Sequence, residues 1–141
     1  MKKIILVAAL FVSVAVIAQK DASTPQAKAA FAKAYPGITN AKWEKEDGNY
    51  EVSFEQKGNK LSVIYNAKGI LQESEIEMKA TELPASVMAY MKEHYKGITV
   101  KGAAKITKAD GSINYEAAIK GKDVMFDANG KFIKEAKDYE D

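Results

Sequence analysis

The chain has 141 residues, contains no cysteine and carries a formal net charge of +2. All 21 basic residues are lysines, so the planar guanidinium that binds phosphate and guanine through two parallel hydrogen bonds is missing. Lysine also interleaves with aspartate and glutamate, whereas nucleic-acid binders carry a basic patch. Composition therefore argues against a nucleic-acid partner, and without disulfides the stability must come from a packed core.

The N-terminus has the composition of a secretory signal peptide. Lys2 and Lys3 form a positive start, residues 4–16 are an apolar run, and a Val-Ile-Ala cleavage sequence ends at Ala18. The run is shorter than the roughly 20 residues that a membrane-spanning helix needs. We predict a signal peptide over 1–18, cleaved after Ala18, and a periplasmic or secreted mature chain that has no membrane attachment and a formal net charge of zero.

A short polar leader over 19–24 precedes a predicted helix. Thr24-Pro25 has the residue types of an N-cap followed by a first helical residue. Apolar side chains at 27, 30, 31, 34 and 35 then share one helix face. Pro36-Gly37 is expected to end this helix.

From Ala41 onward the apolar residues recur at every second position, which is typical of strands. The turn sequences Asp47-Gly48-Asn49, Lys57-Gly58-Asn59 and Asn66-Ala67-Lys68-Gly69 separate four such stretches. This pattern predicts four antiparallel strands whose apolar face meets the helix. One helix and four strands thus form a first repeat over 25–78.

A second copy of the pattern occupies 84–136. Leu83-Pro84 opens its helix, and Tyr95-Lys96-Gly97-Ile98-Thr99 repeats Tyr35-Pro36-Gly37-Ile38-Thr39 sixty positions later. Such an internal repeat indicates a duplicated structural unit. We align Ala104 and Ile106 with Ala41 and Trp43, which places Ile106 on the helix side of its strand.

The two copies predict an α+β fold. It is a tandem repeat of a helix followed by a four-stranded antiparallel sheet, with both helices on one sheet face. About 60 residues is marginal for an independent core, so we expect a single domain over 25–136 with an extended sheet. Residues 137–141 form a charged tail.

The order of these pieces resembles the PepSY-like family, also described as β-lactamase-inhibitor-like. The residues that carry the resemblance are Tyr35-Pro36-Gly37, Ala41, Trp43, Gly48, Tyr50, Val52, Phe54, Gly58, Val63-Ile64-Tyr65-Asn66 and Gly69 in the first copy, and Leu83-Pro84, Tyr95, Gly97, Gly111, Tyr115, Gly121, Phe126-Asp127 and Gly130 in the second. The second copy departs from the pattern at Ile106 and Lys96. The resemblance implies a small periplasmic or secreted protein, similar in architecture to an inhibitor that grips an enzyme with its sheet. It supplies no catalytic residue, and related PepSY modules are associated with restraint of peptidases.

The sheet face away from the helices holds the candidate partner-binding residues. Ile64 and Met125 occupy equivalent positions there and are apolar where a solvated face would carry charge. An apolar patch rimmed by glutamate and lysine is typical of a protein-binding surface; the competing interpretation is that isolated apolar residues are common on surfaces. The candidates are Glu51, Ser53, Ile64, Glu116, Ala118 and Met125.

Three other groups suggest chemistry but have simpler interpretations. His94 is the sole histidine, lies at a predicted helix end and has no companion nucleophile motif. Asp127-Ala128-Asn129-Gly130 resembles the opening of a calcium loop, but the residues after it lack the required ligands, which favours a hairpin turn. Glu73, Glu75 and Glu77 share one strand face and are interpreted as a solvated edge.

We therefore predict a non-enzymatic binding module with no catalytic residue, cofactor or metal. It would inhibit or modulate a periplasmic or secreted protein such as a peptidase, and its partner would be another protein of the cell envelope. Binding would use the open sheet face and the hairpin loops at 47–49 and 110–112. The alternative is a periplasmic carrier of a small ligand or metal in the concavity of the sheet.

Overall fold

The computed structural model describes residues 22–137. The predicted signal peptide, residues 19–21 of the leader and residues 138–141 lie outside the described residues. Residues 22–137 form two helices and eight strands, and within each group of four strands consecutive strands pair antiparallel. Two compact units divide the described residues: the first unit comprises 22–76 with Lys108–Asp110, and the second comprises 77–107 with 111–137. Within 22–137, neither helix has the length and apolar character that a bilayer crossing requires.

Helix α1 (Pro25–Ala34) begins and ends where the sequence predicts. The Thr24 hydroxyl accepts a hydrogen bond from the Ala27 N–H at 3.1 Å, which satisfies one of the free donors at the helix start. At the other end the Tyr35 N–H donates to the Phe31 carbonyl at 2.8 Å. Helix α1 buries Ala27 and Phe31.

The strands that follow are β1 (Lys42–Glu46), β2 (Asn49–Gln56), β3 (Asn59–Asn66) and β4 (Leu71–Met78). Each pairs antiparallel with the next, and a register shift interrupts the β3–β4 pairing between Ile64 and Tyr65. Helix α1 packs on the predicted apolar face, where Phe31 lies with its ring centroid 5.0 Å from that of Phe54. The buried core of the first unit comprises Ala27, Phe31, Val52, Phe54, Val63 and Tyr65.

The start of helix α1 is tied to the turn between β3 and β4. The Thr24 hydroxyl donates to the Ala67 carbonyl at 3.0 Å while it caps the helix. Gly69 in this turn has a φ of +77° and lies directly against the backbone of Gln26. One side chain thus fixes both the helix end and its place on the sheet.

Thr24→Ala should lower the free energy of unfolding by about 1–2 kcal/mol, because it removes the cap and the bond to Ala67 together. Thr24→Ser retains a hydroxyl and is the matched control, expected to stay within about 0.5 kcal/mol of the wild type. Urea unfolding followed by circular dichroism measures both. Equal losses in the two variants would show that the hydroxyl does not provide this stability.

The second unit contains a 3₁₀ turn (Ala80–Glu82) and helix α2 (Ala85–His94). Its strands are β5 (Gly102–Lys108), β6 (Ile113–Ile119), β7 (Lys122–Asp127) and β8 (Phe132–Lys137). Helix α2 packs on the face that carries Ala117, Val124 and Phe126. The Ser86 hydroxyl donates to the Asn129 carbonyl at 3.0 Å, so the start of α2 is also tied to the turn after its third strand.

The predicted orientation of strand β5 is wrong. Ala103 pairs with Ala117 and faces helix α2, whereas Ile106 lies on the opposite face and forms a small apolar cluster with Met125. The reason is that small or apolar residues occur on both faces of Gly102–Lys108. The sequence of this strand therefore does not determine which face meets the helix. The pairing with β6 determines it instead.

Candidate functional site

In the first unit, four side chains form a row across the sheet on the face away from α1. Glu44 lies opposite Glu51, Glu51 opposite Ile64, and Ile64 opposite Glu73 in the antiparallel registers. Directly opposed side chains on one face lie about 4.5–5.5 Å apart, so these four are neighbours. We call Glu44, Glu51, Ile64 and Glu73 the first-unit row.

Glu51 is the most constrained member of this row. Its side chain is only 5 % exposed, and its Oε1 atom has no hydrogen-bond partner among the described residues. Burial raises the pKa of Glu51 to about 7; the negative charges of Glu46, Glu44 and Glu73 add to the rise, and a hydrogen bond with Ser62 opposes it. Glu51 is therefore a carboxyl group that titrates near neutral pH.

Glu73 occupies the other end of the row and pairs with a lysine of the same unit. The Lys108 ammonium lies 3.8 Å from a Glu73 carboxylate oxygen. The end of β5 that carries Lys108 is held in place by the adjacent Ala109 N–H, which donates to the Gln72 carbonyl at 2.8 Å. The interpretation of Glu73 as part of a solvated edge is therefore wrong, because a lysine distant in the chain pairs with it in a buried position.

The second unit has a row at the same register on its face away from α2. Ala104 lies opposite Glu116, Glu116 opposite Met125, and Met125 opposite Lys134. Met125 and Ile106 are both fully buried and form a cluster separate from the core beneath α2. We call Ala104, Glu116, Met125 and Lys134 the second-unit row.

The candidate partner-binding residues lie on the predicted faces, but they are less exposed than the sequence suggests. Each unit brings its own three candidates together on neighbouring strands, since Glu51 and Ser53 pair with β3 and Glu116 and Ala118 pair with β7. Ser53 and Ile64 are partly exposed, whereas Glu51, Glu116, Ala118 and Met125 are buried. The expectation of an exposed patch is therefore wrong for these four. Opposed neighbours shield one another, and the unexpected Ile106 adds apolar bulk beside Met125.

The other candidates occupy simple structural positions. His94 is exposed at the end of α2, with its ring stacked on Tyr90 at a centroid distance of 4.1 Å. The Asp127 carboxylate accepts the N–H groups of Asn129 and Lys131, both at 2.9 Å, which confirms the turn interpretation. No group of three potential metal ligands occurs within residues 22–137.

Sequence reasoning missed a polar network that joins the end of α2 to β8. The Tyr95 hydroxyl donates to the Glu135 carboxylate, whose second oxygen accepts a hydrogen bond from Lys122 at 2.8 Å. Burial and the bond to Glu135 raise the pKa of Tyr95, while the bonds from Lys122 and Tyr95 lower the pKa of Glu135. No local sequence pattern connects these three residues, because only the fold brings Glu135 on β8 next to Tyr95 and Lys122.

In each unit a helix covers one face of four antiparallel strands, and the opposite face mixes apolar and acidic side chains. The family model described as "Putative beta-lactamase-inhibitor-like, PepSY-like" matches residues 19–73 and 48–134. The chain belongs to this PepSY-like family. The resemblance seen in the sequence is thereby confirmed.

Solved structures share the fold at low sequence identity. A DUF2874 family protein from Bacteroides uniformis is 15 % identical, with 82 % of this chain and 89 % of that chain covered and a TM-score of 0.72. A "putative periplasmic" protein from Bacteroides eggerthii is 13 % identical, with coverages of 84 % and 93 % and a TM-score of 0.71. A BLIP-like protein from Bacteroides fragilis is 23 % identical, with coverages of 82 % and 86 % and a TM-score of 0.65. Among the curated proteins, none matches this chain.

Proposed function

We propose that this protein is an exported, non-enzymatic binding module built as a tandem repeat of a helix and four strands. It is cleaved after Ala18 and acts in the periplasm or outside the cell. There it inhibits or modulates another protein of the cell envelope, such as a peptidase. The partner contacts the sheet face away from the helix in the first unit, where Ser53 and Ile64 are partly exposed.

The observation that carries this proposal is that an apolar side chain, Ile64, is partly exposed on a sheet face that the helix does not cover. Each helix already covers one face of its strands, so the opposite face would be polar in a protein that only needed to fold. Instead the apolar Ile64 occupies the centre of the first-unit row and is partly exposed. The periplasmic description of a structural relative and the BLIP-like description of another support export and binding.

Site-specific photocrosslinking in the native cell envelope tests the proposal. A photoreactive residue replaces Ser53, which lies on the proposed binding face, and in a matched control it replaces the exposed Lys33 on helix α1. We expect a crosslinked adduct of one defined mass from position 53 and none from position 33. The adduct partner, identified by mass spectrometry and purified, should bind the unmodified protein in a two-component assay.

Two results would contradict the proposal. The first is that position 53 gives no adduct although the photoreactive residue is incorporated and the protein is folded. This would show that the sheet face does not bind a partner. Identical adducts from positions 53 and 33 would show that the crosslinks report non-specific proximity and not binding at this sheet face.

A further inference from the structure

The first-unit row and the second-unit row differ in charge. The first holds three carboxylates, at Glu44, Glu51 and Glu73, around the apolar Ile64. The second holds Ala104 and Lys134 at the registers of Glu44 and Glu73, and therefore has one carboxylate and one ammonium. Like charges directly opposed across strands destabilise a sheet, so the pair of Glu44 and Glu51 is not explained by folding.

A second observation shows that the first-unit row has an unused acceptor. The Oε1 atom of Glu51 is buried and has no hydrogen-bond partner within residues 22–137. A buried acceptor without a partner destabilises the folded protein, and more so when it is charged. A partner that supplied a donor at this atom would recover that cost. Glu44 is exposed and Ile64 is partly exposed, which leaves the row accessible from solvent on both sides of Glu51.

We infer that the first-unit row binds the ammonium or guanidinium group of a lysine or arginine side chain presented by the protein partner. This inference rests on the proposed function and specifies the chemistry of the partner. The cationic group donates to Glu51 Oε1, and its aliphatic stem packs on Ile64. Hydrogen bonds between charged groups are the strong class, and basic side chains characteristically pack their methylene stems on apolar surface.

Lys108 shows that this row accepts an ammonium group. Its Nζ atom lies 3.8 Å from Glu73 Oε2 at one end of the row, within the same unit. A partner lysine or arginine at Glu51 would repeat this pairing beside Ile64. A metal ion fits less well, because Glu51 and Glu73 lie two strands apart, about 9–10 Å in the sheet, and Ile64 separates them.

Short basic peptides provide the probe. The capped tripeptides of lysine and of arginine are titrated into the purified mature protein at pH 8, where Glu51 is ionised because its pKa is about 7. The capped tripeptide of alanine is the control ligand. Backbone amide shifts in an isotope-labelled sample should change around Glu51, Ile64 and Glu73 with either basic peptide and not with the alanine peptide.

Glu51→Gln should weaken binding of the basic peptides by about tenfold or more, since it removes the charge that the ligand pairs with. Glu55→Gln is the matched control, because Glu55 lies on the same strand and is exposed, and its peptide affinity should equal that of the wild type. Unchanged affinity in Glu51→Gln, or an equal loss in Glu55→Gln, would overturn the inference.

Three further outcomes test the inference, and the last two also separate it from the proposed function. If spermidine binds the row as tightly as the peptides, the site takes free polyamines and the assignment to a partner side chain is overturned. If photocrosslinking at position 53 captures a partner while no basic peptide binds, the inference fails and the proposed function stands. If the peptides bind in a Glu51-dependent manner while crosslinking captures nothing, the cationic site stands and the proposed protein partner falls.

Discussion

Glu51→Gln should raise the free energy of unfolding at pH 8 by about 3 kcal/mol. The folded protein holds the pKa of Glu51 near 7, mainly through burial, against 4.5 for an unperturbed glutamate. Each pKa unit corresponds to about 1.4 kcal/mol, so the ionised carboxylate destabilises the folded state by about this amount. Glutamine has nearly the same shape and carries no charge, and it therefore avoids this cost.

The stability difference between Glu51→Gln and the wild type should depend on pH. Below pH 4.5 Glu51 is protonated in both the folded and the unfolded chain, so its contribution to the pH dependence vanishes. Between pH 4.5 and 7 the unfolded chain ionises first, and the folded state loses relative stability as the pH rises. Above pH 7 the loss is complete. The advantage of Glu51→Gln should therefore be small at pH 4.5, grow up to pH 7 and remain constant at pH 8.

Urea unfolding at several pH values between 4.5 and 8 measures this difference. Glu55→Gln is again the control, because the exposed Glu55 should change stability by no more than about 0.5 kcal/mol at any of these pH values. A Glu51→Gln protein that is less stable than the wild type at pH 8 would contradict the prediction. So would a difference between the two proteins that stays constant across the range.

Gly69→Ala should lower the free energy of unfolding by about 2–5 kcal/mol. Gly69 has a φ of +77°, a conformation that costs an L-residue about 1–2 kcal/mol. An added methyl carbon would also lie 2.5 Å from the backbone carbonyl oxygen of Gln26. Because that atom belongs to the main chain at the start of α1, the clash can be relieved only by moving the helix, and overpacking of this kind costs about 1–3 kcal/mol more.

Gly58→Ala separates the two contributions. Gly58 has a φ of +78°, and an added methyl carbon there would meet no atom within 4 Å. The control should therefore lose only the conformational part, about 1–2 kcal/mol. Urea unfolding of both variants gives the difference, and equal losses would mean that the start of α1 yields to the methyl group without cost.

The sequence was sufficient to predict the elements, because their determinants are local. The Thr24-Pro25 start of α1, its end at Tyr35 and the alternation of Val52 and Phe54 each depend on residues a few positions apart. The orientation predicted for strand β5 is wrong, since Ala103 and Ile106 are both apolar and only the pairing with β6 decides which one faces α2.

The properties of the candidate site depended on contacts that the sequence pattern does not contain. The alternation of β2 correctly places Glu51 away from α1, but alternation alone makes such a residue solvated, whereas the structure buries it beside Glu44 and Ile64. The pairing of Glu73 with Lys108 joins residues 35 positions apart, which periodicity cannot reveal. For polar residues on a predicted outer face, the sequence pattern therefore predicts the face but not the burial or the ion pairs.

The hydroxyl bonds at the two helix starts also bear on how the hairpin loops can vary. The bond from Thr24 to Ala67 and the bond from Ser86 to Asn129 each close a segment with a sequence separation of 43 residues. The entropy of closing such a loop grows only with the logarithm of its length, so even a doubling costs about 0.6 kcal/mol. Within each closed segment the hairpin turns can therefore gain residues at little thermodynamic cost to the docking of the helix. A scaffold of this kind can change the loops that border its sheet face while each helix keeps its anchor.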